Sequence, residues 1–369
     1  MNSEALQNKK KTILSLQALR AIACLIIYIY HATCSGVFLA FGLSAVSMFF
    51  ILSGFVMTIS YWDRPVATTF KGAVEFSVRK MKPLFCLHVM MLFVGLVREL
   101  ITPEKSVFSY IYELAITIPM VQTLFPVGYQ ALNSVDWYLS ATMILYCVFP
   151  FLLRFLRQQR ASLGKYIGMM TGVWLLMLAV GALVGFVFPR HTTWITKDHP
   201  FYRLGDFFIG CVLGTIYKGR KAKSGSIASS TVLELSAVIG VCVSVYLGVT
   251  VFENDRWLTN ACLFIPSAAC LIYCMACEGG LISRIITNPF TIYLSKISAC
   301  FFLIHRQTLL YISFGLQRLF SIKLNGWVLA LVGFPVTILL IHLYLYLEKK
   351  IKNRNGRILA KRQVRSARK

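Results

Sequence analysis

The sequence predicts an all-α, polytopic membrane helix bundle of about ten transmembrane helices, with both termini cytoplasmic. Three observations lead there. Hydrophobic residues make up 57% of the 369 positions and the mean hydropathy is +0.68. Charged residues make up only 14%, against roughly 25% in an ordinary soluble domain, so too little polar surface remains to coat a soluble globule of this size. Apolar runs long enough to cross a bilayer recur along the chain, and Lys and Arg gather between them and beyond the last.

A spanning helix needs about 20 mostly apolar residues. Candidates in order are 12–32, 41–61, 84–97, 137–153, 167–188, 204–216, 232–251, 258–277, 297–315 and 327–347. The third and sixth are short. The apolar stretch 111–125 contains Pro119 and reads as a re-entrant or interfacial segment, since irregular backbone is tolerated at membrane depth only where protein or water covers it. Counted as a span, it would make eleven. The first run is long and continues into His31-Ala32-Thr33-Cys34 rather than a small-residue cleavage site, so it is expected to be retained.

Orientation follows from the cations, because cytoplasmic loops carry the excess of Lys and Arg. With the N-terminus inside, 28 of the 38 fall on the inner side and 9 on the outer, counting with the latter Arg306 inside the ninth run, and Arg20 lies inside the first span. The chain then divides into a membrane domain over 1–348 and a basic cytoplasmic tail over 349–369. The tail holds ten cations and no acid, which suits an anionic inner-leaflet surface. Topology accounts for the net charge of +24 without nucleic acid as a partner; the expected partners are membrane lipids. The eleven cysteines lie mainly in apolar runs, where small apolar packing is their ordinary use. Cys274 and Cys277 form a C-x-x-C that stands alone on an apolar helix, so no metal site is expected.

Ionisable groups inside a span are expensive and functional candidates by default. Arg20 and His31 are eleven residues apart. At about 100° and 1.5 Å per residue they share one helix face, about 16 Å apart along the axis. Arg20 lies too deep from the cytoplasmic end to reach water comfortably, so a protein-lined cavity is expected around it. His31, near the outer end, suits proton handling, since imidazole titrates near neutral pH. The second span descends as the first rises and places Ser53 and Gly54 near the depth of Arg20, where helix packing or ligand contact would use them.

Arg20 to His31 as R-x10-H, followed by Met48-Phe49-Phe50-Ile51-Leu52-Ser53-Gly54-Phe55, resembles the opening signature of the acyltransferase 3 family of integral membrane acyltransferases. Four further elements follow in the family's order. Phe76 to Pro83, with Arg79, Lys80 and Lys82, resembles its basic run ending in proline. Trp137-Tyr138-Leu139-Ser140 with Phe149-Pro150 resembles its W-x-L-S and F-P element, and Arg203-Leu204-Gly205-Asp206-Phe207-Phe208-Ile209-Gly210 its R-x-x-[DE]-F-x-x-G element. Ile297-Ser298 with Leu303-Ile304-His305 resembles its I-S…Y-L-x-H element.

The resemblance implies transfer of an acyl group, commonly acetyl, from cytoplasmic acyl-coenzyme A to a hydroxyl of a glycan or lipid-linked glycan on the outer side, such as an O-antigen or exopolysaccharide. It points to a bacterial inner membrane. His31 would be the catalytic proton handler, or alternatively carry the acyl group covalently. Arg20 would stabilise negative charge along the donor path. Arg79, Lys80, Lys82 and Ser53 would bind the donor, although the basic run is equally a topology signal. Trp137, Arg203, Asp206 and His305 would line the cavity. His88 and His342 read as helix-contact residues.

The chain departs from the family in three places. Lys82 stands where relatives often have Arg, which exchanges a bidentate fork for a point charge. Ser47 and Thr142 stand where acidic residues are common. A carboxylate that would orient His31 is therefore missing from the expected places, and Asp136, Asp206 and Glu348 remain as candidates. With about twenty residues after the last span, the hydrolase-like domain of some larger relatives is not expected. A transporter or flippase using the buried Arg and His as a pathway is the competing reading, weakened because no two halves of the chain look alike.

Overall fold

The computed structural model describes residues 12–101, 103–159, 161–219 and 226–366, without the side chains of 355–366. Lys9 to Lys11, Arg160, Arg220 to Lys223, Arg368 and Lys369, on which the charge count leans, lie outside the described residues, and the tail from 355 to 366 is described as backbone only. The described chain is all helical: α1 Leu14–Thr33, α2 Gly36–Tyr61, α3 Phe70–Ile101, α4 Val107–Thr117, α5 Trp137–Gln158, α6 Leu163–Val187, α7 Pro200–Gly219, α8 Ile227–Thr250, α9 Arg256–Thr259, α10 Ile265–Ala276, α11 Leu281–Ile286, α12 Pro289–Phe320 and α13 Gly326–Ser366.

Eight of these are long and apolar enough to span a bilayer: α1, α2, α3, α5, α6, α8, α12 and α13. The protein is an integral membrane protein. Two of the ten expected spans differ in kind. The sixth is the 20-residue α7, which carries Arg203 and Asp206 in its interior. The eighth is broken into α9 and α10, with non-helical backbone over 260–264. That break is tolerated because its carbonyls find donors in the protein: Arg203 Nη2 donates to the Asn260 oxygen at 2.8 Å, and Trp174 Nε1 to the Cys262 oxygen at 2.9 Å. The third span was expected to begin after the basic run; α3 instead starts at Phe70 and continues through Pro83. The ring of Pro83 has no N–H for the Arg79 carbonyl, and Arg79, Lys80 and Lys82 lie within the helix rather than before it. The Pro119 stretch is an 11-residue helix, α4, followed by a 3₁₀ turn at Gln122–Leu124.

The core is a central group of helices with a lipid-facing rim. Half or more of the most apolar window of α1, α2, α5 and α12 is buried inside the protein, whereas α6 buries only 17% of its own. A helix apolar on all sides beyond Lys165 and exposed in this way suits hydrocarbon as its solvent. The most extensive helix contact among the described residues is between α2 and α7, and two glycines permit its close approach. A Cβ at Gly210 would run into the Ile51 carbonyl, and one at Gly54 into the Phe207 carbonyl. Small residues that let backbones touch are the usual device for packing helices in lipid, where no hydrophobic force drives them together. A tight turn joins α1 to α2, with Cys34 in the left-handed region (φ 52°) and its N–H bonded to the Tyr30 carbonyl at 2.8 Å. It fixes the outer end of α1, where His31 sits.

Candidate functional site

One stripe of α1 builds the site. Arg20, Cys24, Ile27 and His31 recur at intervals of four, three and four, so they project to one side. Two cavities lie along that stripe. The one at the N-terminal end is about 210 Å³ and is lined by Arg20, Cys24, Ser53, Tyr138, Thr142 and Tyr146, among others. The one at the C-terminal end is about 370 Å³ and is lined by His31, Trp137, Lys197, Arg256, Asn260 and Arg306, among others. Phe302 of α12 lines both. Tyr138 packs edge-on against it at 5.6 Å between centroids, so an aromatic pair stands where the two spaces meet.

The His31 ring has a neighbour that sequence reasoning did not pair with it. His31 Nδ1 is 2.8 Å from Nε2 of His305 on α12, and His305 Nδ1 is 3.0 Å from the Phe301 carbonyl oxygen. A carbonyl can only accept, so His305 carries its proton on Nδ1. In the neutral ring its Nε2 is then a lone pair, and His31 must donate from Nδ1 to it. That leaves His31 Nε2 unprotonated, with no partner among the described residues, on the ring that lines the outer cavity. The arrangement fixes tautomer and orientation as the third member of a catalytic triad does, with an imidazole in place of a carboxylate.

The three acids expected to compete for that role are all engaged elsewhere. Asp136 pairs with His88 Nδ1 at 2.8 Å and accepts from Asn133. Asp206 takes Arg203 Nη1 at 2.6 Å. Glu348 takes Lys352 at 2.6 Å. Nor would the acids common at positions 47 and 142 have reached His31. Ser47 accepts from Arg203 Nη1 at 3.1 Å, and Thr142 lines the inner cavity with Arg20.

Arg203 and Asp206 line neither of the two cavities, contrary to expectation. Arg203 is fully buried, and its five donors explain why. Beyond Asp206, Ser47 and the Asn260 carbonyl, its Nε donates to the Lys197 carbonyl at 2.6 Å. One guanidinium therefore ties α7 to α2, to the broken helix, and to a π turn at Trp194–Asp198. That turn carries Lys197 into the outer cavity. Asp198, beside it, is buried, and burial pushes its carboxyl up from the usual range while Lys197 and Arg203 pull it down.

Trp137 lines the outer cavity beneath Lys197, whose Nζ stands 5.3 Å from the ring centroid. Arg20 lines the inner cavity and makes no hydrogen bond or ion pair among the described residues, an unusual state for a guanidinium at membrane depth. Ser53 and Tyr146 share a 2.9 Å hydrogen bond there. Arg79 and Lys82 are exposed, and Lys80 lies over the Tyr61 ring at 4.6 Å. They flank Met81, which lines the inner cavity. His88 and His342 make helix contacts, His342 with Tyr293 of α12 at 2.6 Å. Sequence reasoning counted Lys197 and Arg256 only as loop charge and Arg306 only toward the outer total, and no local motif marks them.

A family model described as an acyltransferase domain matches residues 13–346. No curated protein and no solved structure matches the chain.

Proposed function

The chain belongs to the acyltransferase 3 family, and from that premise we propose that it is an O-acyltransferase moving an acyl group, acetyl in the simplest case, from cytoplasmic acyl-coenzyme A to a hydroxyl of an extracytoplasmic or lipid-linked glycan. The observation that carries this reading is the chain of contacts from the Phe301 carbonyl through His305 to His31 Nδ1 at the edge of the outer cavity, which assigns the lone pair to His31 Nε2.

In the proposed reaction the acceptor hydroxyl gives its proton to His31 Nε2 as its oxygen attacks the thioester carbonyl. The imidazolium keeps its Nδ1–H on His305. The tetrahedral intermediate collapses, the carbon–sulfur bond breaks, and the leaving thiolate takes the proton from Nε2. One group thus serves as base and then acid. Arg20, about 16 Å away along the helix, cannot touch the same reacting atom. It sits in the inner cavity, where a fixed cation would hold the donor's negative charge. Arg79, Lys80, Lys82 and Ser53 complete the donor side. The donor enters from the cytoplasm, the acceptor from outside, and the thioester arm passes the Tyr138 and Phe302 rings. Both termini lie in the cytoplasm, and the membrane is a bacterial inner membrane.

The test uses purified full-length protein in liposomes with labelled acetyl-coenzyme A and a crude lipid-linked glycan fraction. Label transferred only when the fraction is present is the expected result. Accumulation of label inside the vesicles without acylated product would mean a transporter instead.

A further inference from the structure

We infer that the acceptor is an anion: the glycan that enters the outer cavity carries a carboxylate or phosphate close to the hydroxyl that is acylated. This rests on reading the outer cavity as the acceptor's, and it names the acceptor's chemistry.

The observation is a convergence of charge. Lys197 from the π turn, Arg256 from α9 and Arg306 from α12 all line the one cavity that His31 faces, and no carboxylate lines it. Three segments far apart in sequence bring like charges to a space of about 370 Å³, and like charges gathered at low dielectric repel unless something neutralises them. Among the other cations assigned to the same side of the membrane, Arg190, Arg318 and Lys323 are exposed at the surface, and those nearer the protein interior are neutralised within it. Lys105 pairs with Glu99 and Glu113, Arg98 with Glu99, and Arg203 with Asp206. Arg256 and Arg306 have no carboxylate within ion-pair distance among the described residues. Arg306 makes only a 3.4 Å contact from Nε to the Ser134 hydroxyl. Lys197 has Asp198 at 3.4 Å, but that carboxylate is fully buried and shared with Gln130.

Orientation signals do not explain them, because cations mark the cytoplasmic side and these three sit at the end of the bundle opposite Arg79 to Lys82. Nor does the transient oxyanion of acyl transfer need three cations, one of them the exposed Arg256 at the rim. A permanent anion on the bound molecule uses all three: Arg offers the planar fork that fits a carboxylate or phosphate, and Lys a point charge.

The anion has two possible sources, an acidic sugar or the phosphate that joins a sugar to its lipid carrier, and the test separates them. Binding of methyl glucuronide, glucose 1-phosphate and neutral methyl glucoside is measured on the full chain in nanodiscs, with no acyl donor present. At least one anionic sugar should bind about tenfold tighter than the neutral one, with the advantage shrinking as salt rises. Tighter glucuronide binding assigns an acidic sugar, and tighter glucose 1-phosphate binding the linking phosphate. The preference should fall several-fold in Arg306→Gln and also in Arg256→Gln, which changes an exposed side chain and leaves the core intact. Equal binding of all three sugars, or none, overturns the inference. So does a preference unchanged in both variants, or displacement of the anionic sugar by coenzyme A, which would make the cavity a donor site. Because no acyl transfer is read, failure here is separate from failure of the acyltransferase reading.

Discussion

Two histidines inside membrane helices, His31 and His88, are put to opposite uses, and counting their committed nitrogens separates them. His88 is fully buried, with Nδ1 on the Asp136 carboxylate at 2.8 Å and Nε2 on the Thr117 carbonyl at 2.9 Å. Both partners accept, so both nitrogens donate and no lone pair is left for chemistry. Asp136 in turn holds Asn133, which donates to the Leu303 carbonyl of α12. The cluster clamps α3, α4, α5 and α12 together. His31 commits one nitrogen to His305 and turns the other to a cavity. At membrane depth a saturated imidazole is a fastener, and one with a free lone pair beside an open space can move protons.

The comparison can be broken at its strongest point by His31→Gln, which keeps size and hydrogen bonding but cannot take a proton. Acyl transfer should fall by about 10²–10⁴-fold, with the protein inserted and its melting temperature unchanged; a near wild-type rate would make His31 a fastener too. His88→Leu should do the reverse. It leaves Asp136 buried without its cation, a loss of about 3–5 kcal/mol when one partner of a buried pair is removed. Thermal unfolding in detergent should register that loss, and the molecules that remain folded should acylate at the wild-type rate.

A smaller effect is expected behind His31. His305→Leu removes the acceptor that fixes the tautomer, so kcat should drop roughly tenfold to a hundredfold with little change in acceptor KM. His305→Asn, whose side-chain oxygen can accept from His31 Nδ1, should recover part of it. Equal losses in the two variants would show that His305 matters for packing alone. The smallest effect belongs to the exposed basic run. Arg79→Ala or Lys82→Ala should raise the donor KM several-fold more than the acceptor's, in line with single phosphate contacts made at a solvated surface. Unchanged donor kinetics in both would return these residues to topology.

Much of the site was legible from α1 alone. An eleven-residue spacing on a 3.6-residue helix places two side chains on one face whatever surrounds it, and Arg20 and His31 do line cavities on one stripe. The partner of His31 was not legible, because 274 residues separate it from His305 and nothing local in either segment specifies the pairing. The search for an orienting carboxylate failed for a related reason. Positions 47 and 142 face Arg203 and Arg20, and only helix packing tells which face meets which neighbour. The eighth span misled because an apolar run looks alike whether or not it is continuous. The break at 260–264 is held by Arg203 and Trp174, donors from two other helices.

The sequence by itself determined that this chain lives in a bilayer, because hydropathy and charge are sums over residues and need no fold to be evaluated. It also determined the register of α1, because helix geometry is local. Tertiary structure alone decided that His305 pairs with His31, that Arg203 and Asp206 are scaffold rather than cavity wall, and that three unpaired or half-paired cations meet in the cavity that His31 lines. Each of these depends on distances between helices, and those are set by where Gly54 and Gly210 let backbones touch and where buried donors find carbonyls, not by the spacing of residues along the chain.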